Sequence, residues 1–290
     1  MKAGRRCHLC LIRQASELAE LATNDMSLRY EAVKRALTYL LNQIDDGDTL
    51  PVMGTGVHRI VKEVTGNDDP YRKIKKEMNQ AVLAFEKEVT SDIKSSESPL
   101  LTAIKYSIAG NRIDVGPGKK FDVKDAVRSV AHESLCIDDS QELIERVKDG
   151  GDILYLTDNA GEIVLDKLLI RELKRFNENI IVAVRGGAIV NDALYEDAVQ
   201  VGLTRVVKVI TTGTDAIGPL KSEISTPFQK KLDSSDFLIS KGQGNFEALA
   251  DDSKYDRFFL LRVKCKVIAD ALNAQVGCNV VKRIARGKSI

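Results

Sequence analysis

The chain has no tryptophan, three histidines, six prolines and almost no excess charge, with 43 Lys+Arg standing against 42 Asp+Glu in 290 residues. Each scarcity excludes something. A formal net charge of +1 supplies no concentrated basic field, so neither a nucleic acid nor an anionic membrane is expected as a partner. No apolar run approaches the roughly 20 residues that cross a bilayer. Met1 to Leu21 is interrupted by Arg5, Arg6, His8 and Arg13, which argues against a signal peptide and places the chain in the cytoplasm. His8, His58 and His132 are too few and too scattered for a Ser/His/Asp or histidine-rich centre, leaving acid–base work to carboxylates or metal-bound water. The five cysteines, Cys7, Cys10, Cys136, Cys265 and Cys278, are odd in number and irregular in spacing. That pattern suits a reducing compartment better than a disulfide framework. The missing tryptophan and the 29% of charged residues fit a heat-adapted source but carry no functional reading.

What is present is enough chain for two domains and a change of rhythm along it. Leu18, Leu21, Leu28, Val33, Leu37 and Leu40 recur three and four apart, as do Ile74, Met78, Ala81, Val82 and Phe85, so the first third reads as helix. Asp45-Asp46-Gly47-Asp48 and Gly66-Asn67-Asp68-Asp69-Pro70 stop helices, and Tyr71 to Glu88 reads as one charged, amphipathic helix. From about Gly150 short β-rich runs alternate with helical periods, the pattern of a parallel α/β sheet. The expected strands are Ile153–Thr157, Ile180–Val184, Val206–Ile210, Phe237–Ser240 and Phe258–Val263.

Ligands of open α/β sheets bind beyond the carboxyl ends of the strands. Here those corners read Asp158-Asn159-Ala160-Gly161-Glu162, Arg185-Gly186-Gly187, Thr211-Thr212-Gly213-Thr214-Asp215, Lys241-Gly242-Gln243-Gly244-Asn245 and Lys264. Together they supply carboxylate, amide, hydroxyl and lysine to a shared anion and metal site, although any single one is also a tight turn. Asp158 and Asn159 are hard oxygen ligands of the kind that hold Mg²⁺ or Mn²⁺, and are equally candidates to cap the helix starting near Gly161. Asn191-Asp192 carries the same two readings before a helix over Ala193–Val199. A second carboxylate on the consecutive βα unit favours metal. Lys241 to Asn245 lacks the spacing of a Walker A or G-x-G-x-x-G loop, yet its glycines let backbone N–H groups approach a phosphate at the mouth of an Asn245–Ala250 helix. A flexible turn is the plainer reading.

The ordered set Leu156-Thr157-Asp158-Asn159-Ala160-Gly161-Glu162, Asn191-Asp192, Lys241-Gly242-Gln243-Gly244-Asn245-Phe246-Glu247 and Arg262-Val263-Lys264-Cys265 resembles the metal-dependent damage-control phosphatase family, long known as domain of unknown function 89. Asp69-Pro70-Tyr71-Arg72 with Lys75, and Ala109-Gly110-Asn111-Arg112-Ile113-Asp114, add to the likeness. Cys7-His8-Leu9-Cys10 is similar to the cysteine pair that marks one branch. The resemblance implies a helical N-terminal domain, residues 1–110, packed on a Rossmann-like, three-layer α/β catalytic domain with a parallel sheet, residues 111–290. It implies a phosphatase that needs a divalent metal (Mg, Mn, Ni or Co) and acts on small phosphorylated metabolites such as sugar phosphates.

Carried over, the metal ligands fall on Asp158, Asn159 and Asp192, with Lys264 completing the catalytic set by contacting phosphate. Substrate contacts fall on Asn111, Asp114, Glu162, Lys241, Gly242, Gln243, Gly244 and Asn245. Gln243, Gly244 and Glu247 stand where eukaryotic members have an Asp-Leu-Asn type segment followed by Arg, which leaves substrate preference open. Cys7 and Cys10 are half of a zinc site, a redox pair or two buried thiols, with Cys265 a third ligand only if the fold returns it to the N-terminus. Asp192 is expected to act as a surface ligand whose removal leaves the fold intact.

Two rivals share this architecture: a nucleotide- or sugar-phosphate-binding regulatory module, and a Rossmann-like methyltransferase. The paired Asp158 and Asp192 separate the hydrolase from the binder, and a chelator separates it from the transferase. Sequence leaves open the natural substrate, the metal, the oligomeric state, and whether water or Asp158 attacks.

Overall fold

The computed structural model describes residues 1, 3–43, 49–112 and 123–290. Its α-helices are α1 (Arg5–Ala22), α2 (Met26–Gln43), α3 (Leu50–Thr65), α4 (Arg72–Leu83), α5 (Glu86–Ser95), α6 (Pro99–Ala109), α7 (Val123–His132), α8 (Ser140–Lys148), α9 (Glu162–Leu173), α10 (Tyr195–Gln200), α11 (Thr226–Ser234), α12 (Gly242–Leu249) and α13 (Lys266–Leu272). The strands are β1 (Leu135–Asp138), β2 (Ile153–Leu156), β3 (Ile180–Val184), β4 (Lys208–Thr211), β5 (Phe237–Lys241), β6 (Arg257–Arg262) and β7 (Asn279–Ile284). They form one sheet in the order β1-β7-β6-β5-β2-β3-β4.

Every neighbouring pair is parallel except β6 with β7. β2 and β3 are apolar throughout, and β5 and β6 carry apolar runs over Phe237–Ile239 and Phe258–Leu261, because both sheet faces are covered; their side chains alternate between two cores. Ile153, Tyr155, Phe258 and Leu260 face a core shared with α5 to α10. Leu154, Leu156, Phe259 and Leu261 face a second core with α11, α12 and α13. This is the three-layer α/β architecture expected from the sequence.

The region drawn as helical over residues 1–110 packs in two ways. Val82 to Ala109 contribute to the first sheet core, whereas α1, α2 and α3 build a cluster of their own around Leu11, Leu18, Met53 and Val57. Helix α3 docks on the corners after β3 and β4. There Lys62 Nζ donates to the Ala188 carbonyl at 2.9 Å and to Asp215 at 2.8 Å, and Arg59 Nε donates to Asp215 at 3.0 Å.

Several expectations are corrected. Two strands were not expected. β1 is only four residues long, and in β7 Lys282 and Arg283 break the apolar run to pair with Asp139 and Asp256. The strand drawn over Val206–Ile210 starts at Lys208, because Val206 and Val207 donate to the Leu203 carbonyl and close a 3₁₀ turn. Tyr71 to Glu88 is two helices, broken where Phe85 leaves helical geometry to enter the core. The Ala193–Val199 helix starts at Tyr195 after an extended Leu194. The expectation of no disulfide is also corrected. Cys136 in β1 is bonded to Cys278, 142 residues away, because β1 pairs in parallel with β7 from Leu135↔Asn279. Spacing along the chain cannot show that neighbourhood.

Candidate active site

The site is built where β2, β3 and β5 end side by side. After β2, Thr157 stays tied to β3 through its N–H and hydroxyl, both donating to the Ala183 carbonyl. Asp158 and Asn159 follow. The Ala193 N–H donates to the Asp158 carbonyl at 2.8 Å and the Ala160 N–H to the Asn191 carbonyl at 2.9 Å, leaving Asn159 and Asp192 as bridge partners. Two loops far apart in sequence are thereby stitched into one wall, and the expected ligands Asp158, Asn159 and Asp192 are brought together, each less than a tenth exposed.

Helix α9 begins at Glu162, after Gly161, whose φ of 76° makes the turn, and no side chain caps it. The capping reading of Asp158 and Asn159 is therefore not what is observed. Instead Asp158 Oδ2 accepts from Asn159 Nδ2 at 2.7 Å and from Asn111 Nδ2 at 2.9 Å. Among the described residues nothing donates to Oδ1 of Asp158, Asn159 or Asp192. Hard oxygen atoms from two carboxylates and an amide are left over on one buried wall, the donor chemistry that suits Mg²⁺ or Mn²⁺ with room for water and substrate oxygens. Among the described residues no three His, Cys, Asp or Glu side chains enclose a cation, so any metal held here has an incomplete protein shell.

The electrostatics fit the same chemistry. Burial, then Glu162, then Asp192, push the Asp158 carboxyl up to about 8, while Lys264 and Arg185 act in the opposite sense. Asp192 is also raised, chiefly by burial, against the pull of Arg185 and Lys75. Ionised carboxylates packed this closely repel one another unless positive charge is added, which a divalent cation would supply.

Beneath the wall, Glu162 and Asp166 lie four apart on α9 and share a face. Lys241, the last residue of β5, donates to Glu162 Oε1 at 2.6 Å, to Asp166 Oδ1 at 2.6 Å and to the Ser107 carbonyl at 3.0 Å. All three side chains are fully buried. The other Glu162 oxygen accepts from Asn111 and Asn159. Lys241 thus sits under the site with every ammonium proton committed, and Glu162 lies between it and the amides that touch Asp158.

The remaining expected residues fall as follows. Gly242 opens α12, which starts three residues earlier than the sequence suggested, against the Asp158 carboxylate. Gln243 Oε1 accepts from the Lys264 N–H. Gly244 is half-buried on the same turn. Asn245 is buried, its Nδ2 donating to the Thr157 and Lys241 carbonyls and its Oδ1 accepting from Arg185. Lys264 is exposed and close enough to Asp158 to favour its charge. Asn111 is buried with its Oδ1 unpartnered; Asp114 lies outside the described residues. Cys7, Cys10 and Cys265 share one electrostatic neighbourhood with Glu247, and burial raises the Cys7 thiol. The fold does return Cys265 to the N-terminal helix, yet the thiols form no metal cage among the described residues.

Sequence reasoning assigned no role to two residues. Arg185 is buried, with Nε donating to Asp192 Oδ2 and Nη2 to Asn245 Oδ1, both at 2.7 Å; its place directly after β3 was the available signal. Asp166 could have been found from its spacing to Glu162.

A family model for the damage-control phosphatase ARMT1-like domain matches residues 3–280. The chain is 34% identical to the damage-control phosphatase PH1575 of Pyrococcus horikoshii, over 98% of each chain. It is 35% identical to a damage-control phosphatase of Archaeoglobus fulgidus, over 97% of this chain and 99% of that one. It is also 34% identical to an uncharacterized protein of Methanocaldococcus jannaschii, over 97% and 95%. The crystal structure of the Pyrococcus DUF89 family protein superposes with a TM-score of 0.87, covering 98% of this chain and 99% of that one. With a family model spanning nearly the whole sequence and this agreement of fold and length, the chain belongs to the damage-control phosphatase ARMT1-like family.

Proposed function

We propose that the protein is a divalent-metal-dependent phosphatase hydrolysing small phosphorylated metabolites such as sugar phosphates. The observation that carries this reading is the unspent oxygen set on Asp158, Asn159 and Asp192 beside the N-terminus of α12 and Lys264. Those three side chains would hold Mg²⁺, Mn²⁺, Ni²⁺ or Co²⁺. When bound, such an ion polarises phosphoryl oxygens and acidifies water.

The chain's own groups divide the remaining work. Lys264 and the first N–H groups of α12, with Gly242 and Gly244 leaving the backbone bare, offset charge on the phosphoryl group. Arg185 holds Asp192 and Asn245 in register. The Lys241–Glu162 pair fixes the amides of Asn111 and Asn159 against Asp158. Cys7 and Cys10 are read as the mark of one branch of the family, without a catalytic part.

The test is a phosphate-release screen over sugar phosphates and generic phosphoesters, run with added metal and after exhaustive chelation. Release that returns only with a divalent cation supports the reading. Undiminished release after chelation overturns metal dependence, and no release under any condition overturns the phosphatase.

A further inference from the structure

Helix α4 buries Lys75, Asn79 and Val82, four and three residues apart on one face. Two of these three positions are polar where the helical period calls for apolar side chains. Asn79 is fully buried and its amide is committed on both sides: Oδ1 accepts the Gly161 N–H at 2.6 Å, and Nδ2 donates to Asp197 Oδ1 and to Gln200 Oε1, both at 2.8 Å. A backbone N–H only donates and an ionised carboxylate only accepts, so these partners fix which way the amide points. A leucine of similar size would fill the same space and leave the buried Gly161 N–H and Asp197 short of a partner, a loss that packing does not offset.

The two partners belong to the two corners that make the site. Gly161 ends the Asp158-Asn159-Ala160-Gly161 corner and leads into α9. Asp197 stands in the first turn of α10, on the segment that follows Asp192, and its other oxygen accepts the Leu194 N–H at 2.9 Å. Leu194 in turn bridges to Arg185, the ion-pair partner of Asp192. The corners already meet once, through Asn159 and Asp192. Asn79 joins them a second time, from α4, and two attachments fix the separation and angle of segments that one attachment leaves free to pivot.

We propose that Asn79 is a positioning residue of the metal site, holding the Asp158–Asn159 corner and the Asp192 corner at their working separation by acting through Gly161 and Asp197. The inference rests on reading Asp158, Asn159 and Asp192 as ligands. Partners that orient ligands from outside are worth about 10–100-fold in metal affinity, and an ångström of misplacement can cost about 10²-fold in turnover. Lys75, one turn before Asn79 and 3.9 Å from the Asp197 carboxylate, keeps a cation beside the pair.

The experiment titrates Mn²⁺ calorimetrically into the metal-free chain, at a temperature where circular dichroism shows each variant folded. Asn79→Asp keeps the acceptor for Gly161 but sets one carboxylate against another, and Asp197→Asn removes an acceptor that Asn79 uses. Each should weaken Mn²⁺ binding at least about tenfold. In the double variant, Asn79→Asp with Asp197→Asn, donor and acceptor trade places: the carboxylate at 79 accepts from Gly161 and from the amide at 197, whose oxygen still takes the Leu194 N–H. Affinity should return to within about threefold of wild type, a coupling that only residues acting as a pair show. A merely structural role lowers the unfolding midpoint and leaves the folded chain's affinity alone, so a folded single variant that binds Mn²⁺ as tightly as wild type overturns the proposal. A double variant that binds no better than Asp197→Asn, or does not fold, overturns it too, and this comparison decides the case if Asn79→Asp alone does not fold. A wild-type chain that binds no Mn²⁺ removes the metal reading and this inference together, whereas one that binds Mn²⁺ but releases no phosphate removes the phosphatase alone.

Discussion

Gly242 and Asp158 are in direct opposition: a Cβ on residue 242 would lie 1.9 Å from Asp158 Oδ2, and the backbone there has a φ of 76°. The only residue that both adopts that angle cheaply and leaves the carboxylate in place is glycine. Gly242→Ala should cost about 1–2 kcal/mol from the left-handed backbone alone. It should also lower kcat/KM by about 10²-fold, because moving a ligand by an ångström is enough to do so. Thermal unfolding and steady-state kinetics on one preparation check both figures, and wild-type kinetics would show that Asp158 does not need this position.

Asp192 is a different kind of residue from the surface ligand expected. It is 6% exposed and pairs with the buried Arg185, so Asp192→Ala strands a buried guanidinium and should destabilise the fold by about 3–5 kcal/mol. Asp192→Asn keeps an acceptor for Arg185 and should retain most stability while losing divalent-cation affinity. Denaturant midpoints and calorimetric Mn²⁺ titration of the two variants provide the comparison. Equal Mn²⁺ affinity in Asp192→Asn and wild type would take this residue out of the ligand set.

The two lysines of the site should separate cleanly. Lys241→Met leaves Glu162 and Asp166 buried without their cation and should destabilise by about 3–5 kcal/mol, with activity lost as a consequence. Lys264→Met is exposed and should leave the denaturant midpoint near wild type while kcat/KM falls by about 10²-fold, the scale of one lost electrostatic stabiliser. A change under about threefold, near noise in barrier terms, would return Lys264 to the solvent-exposed surface.

Glu247 supplies a pH test apart from Asp158, Asn159 and Asp192. Burial pushes its carboxyl up to about 7 from 4.5, with the N-terminal ammonium acting weakly against it. A raised folded-state value means that the native chain holds the proton more tightly, so this contribution is complete below pH 4.5 and is lost as pH rises through about 7. At 1.36 kcal/mol per unit the loss is about 3 kcal/mol. Glu247→Gln should remove that slope, so the stability difference between variant and wild type should grow in the variant's favour from pH 4.5 to 7. Parallel pH–stability curves would contradict it.

Much of this molecule was legible in the chain because it depends on local periodicity. Residues 153–156 and 237–239 are apolar without interruption since both faces of their strands are covered, and polar corners after β2, β3 and β5 mark where such a sheet ends. Asp158, Asn159 and Asp192 could be nominated from that rule together with the family likeness. What sequence could not show is which charge faces the site and which lies beneath it. Lys241 and Lys264 are both lysines at a strand end. Only the packing of α6 and α9 under β5 turns the first into a buried counter-ion for Glu162 and Asp166, while Lys264 stays at the rim. The same holds for Arg185 on Asp192 and for Cys136 meeting Cys278. Each depends on the sheet order and on how α3 and α4 pack against its corners, long-range choices made by burial and charge pairing that leave no periodic trace along the chain.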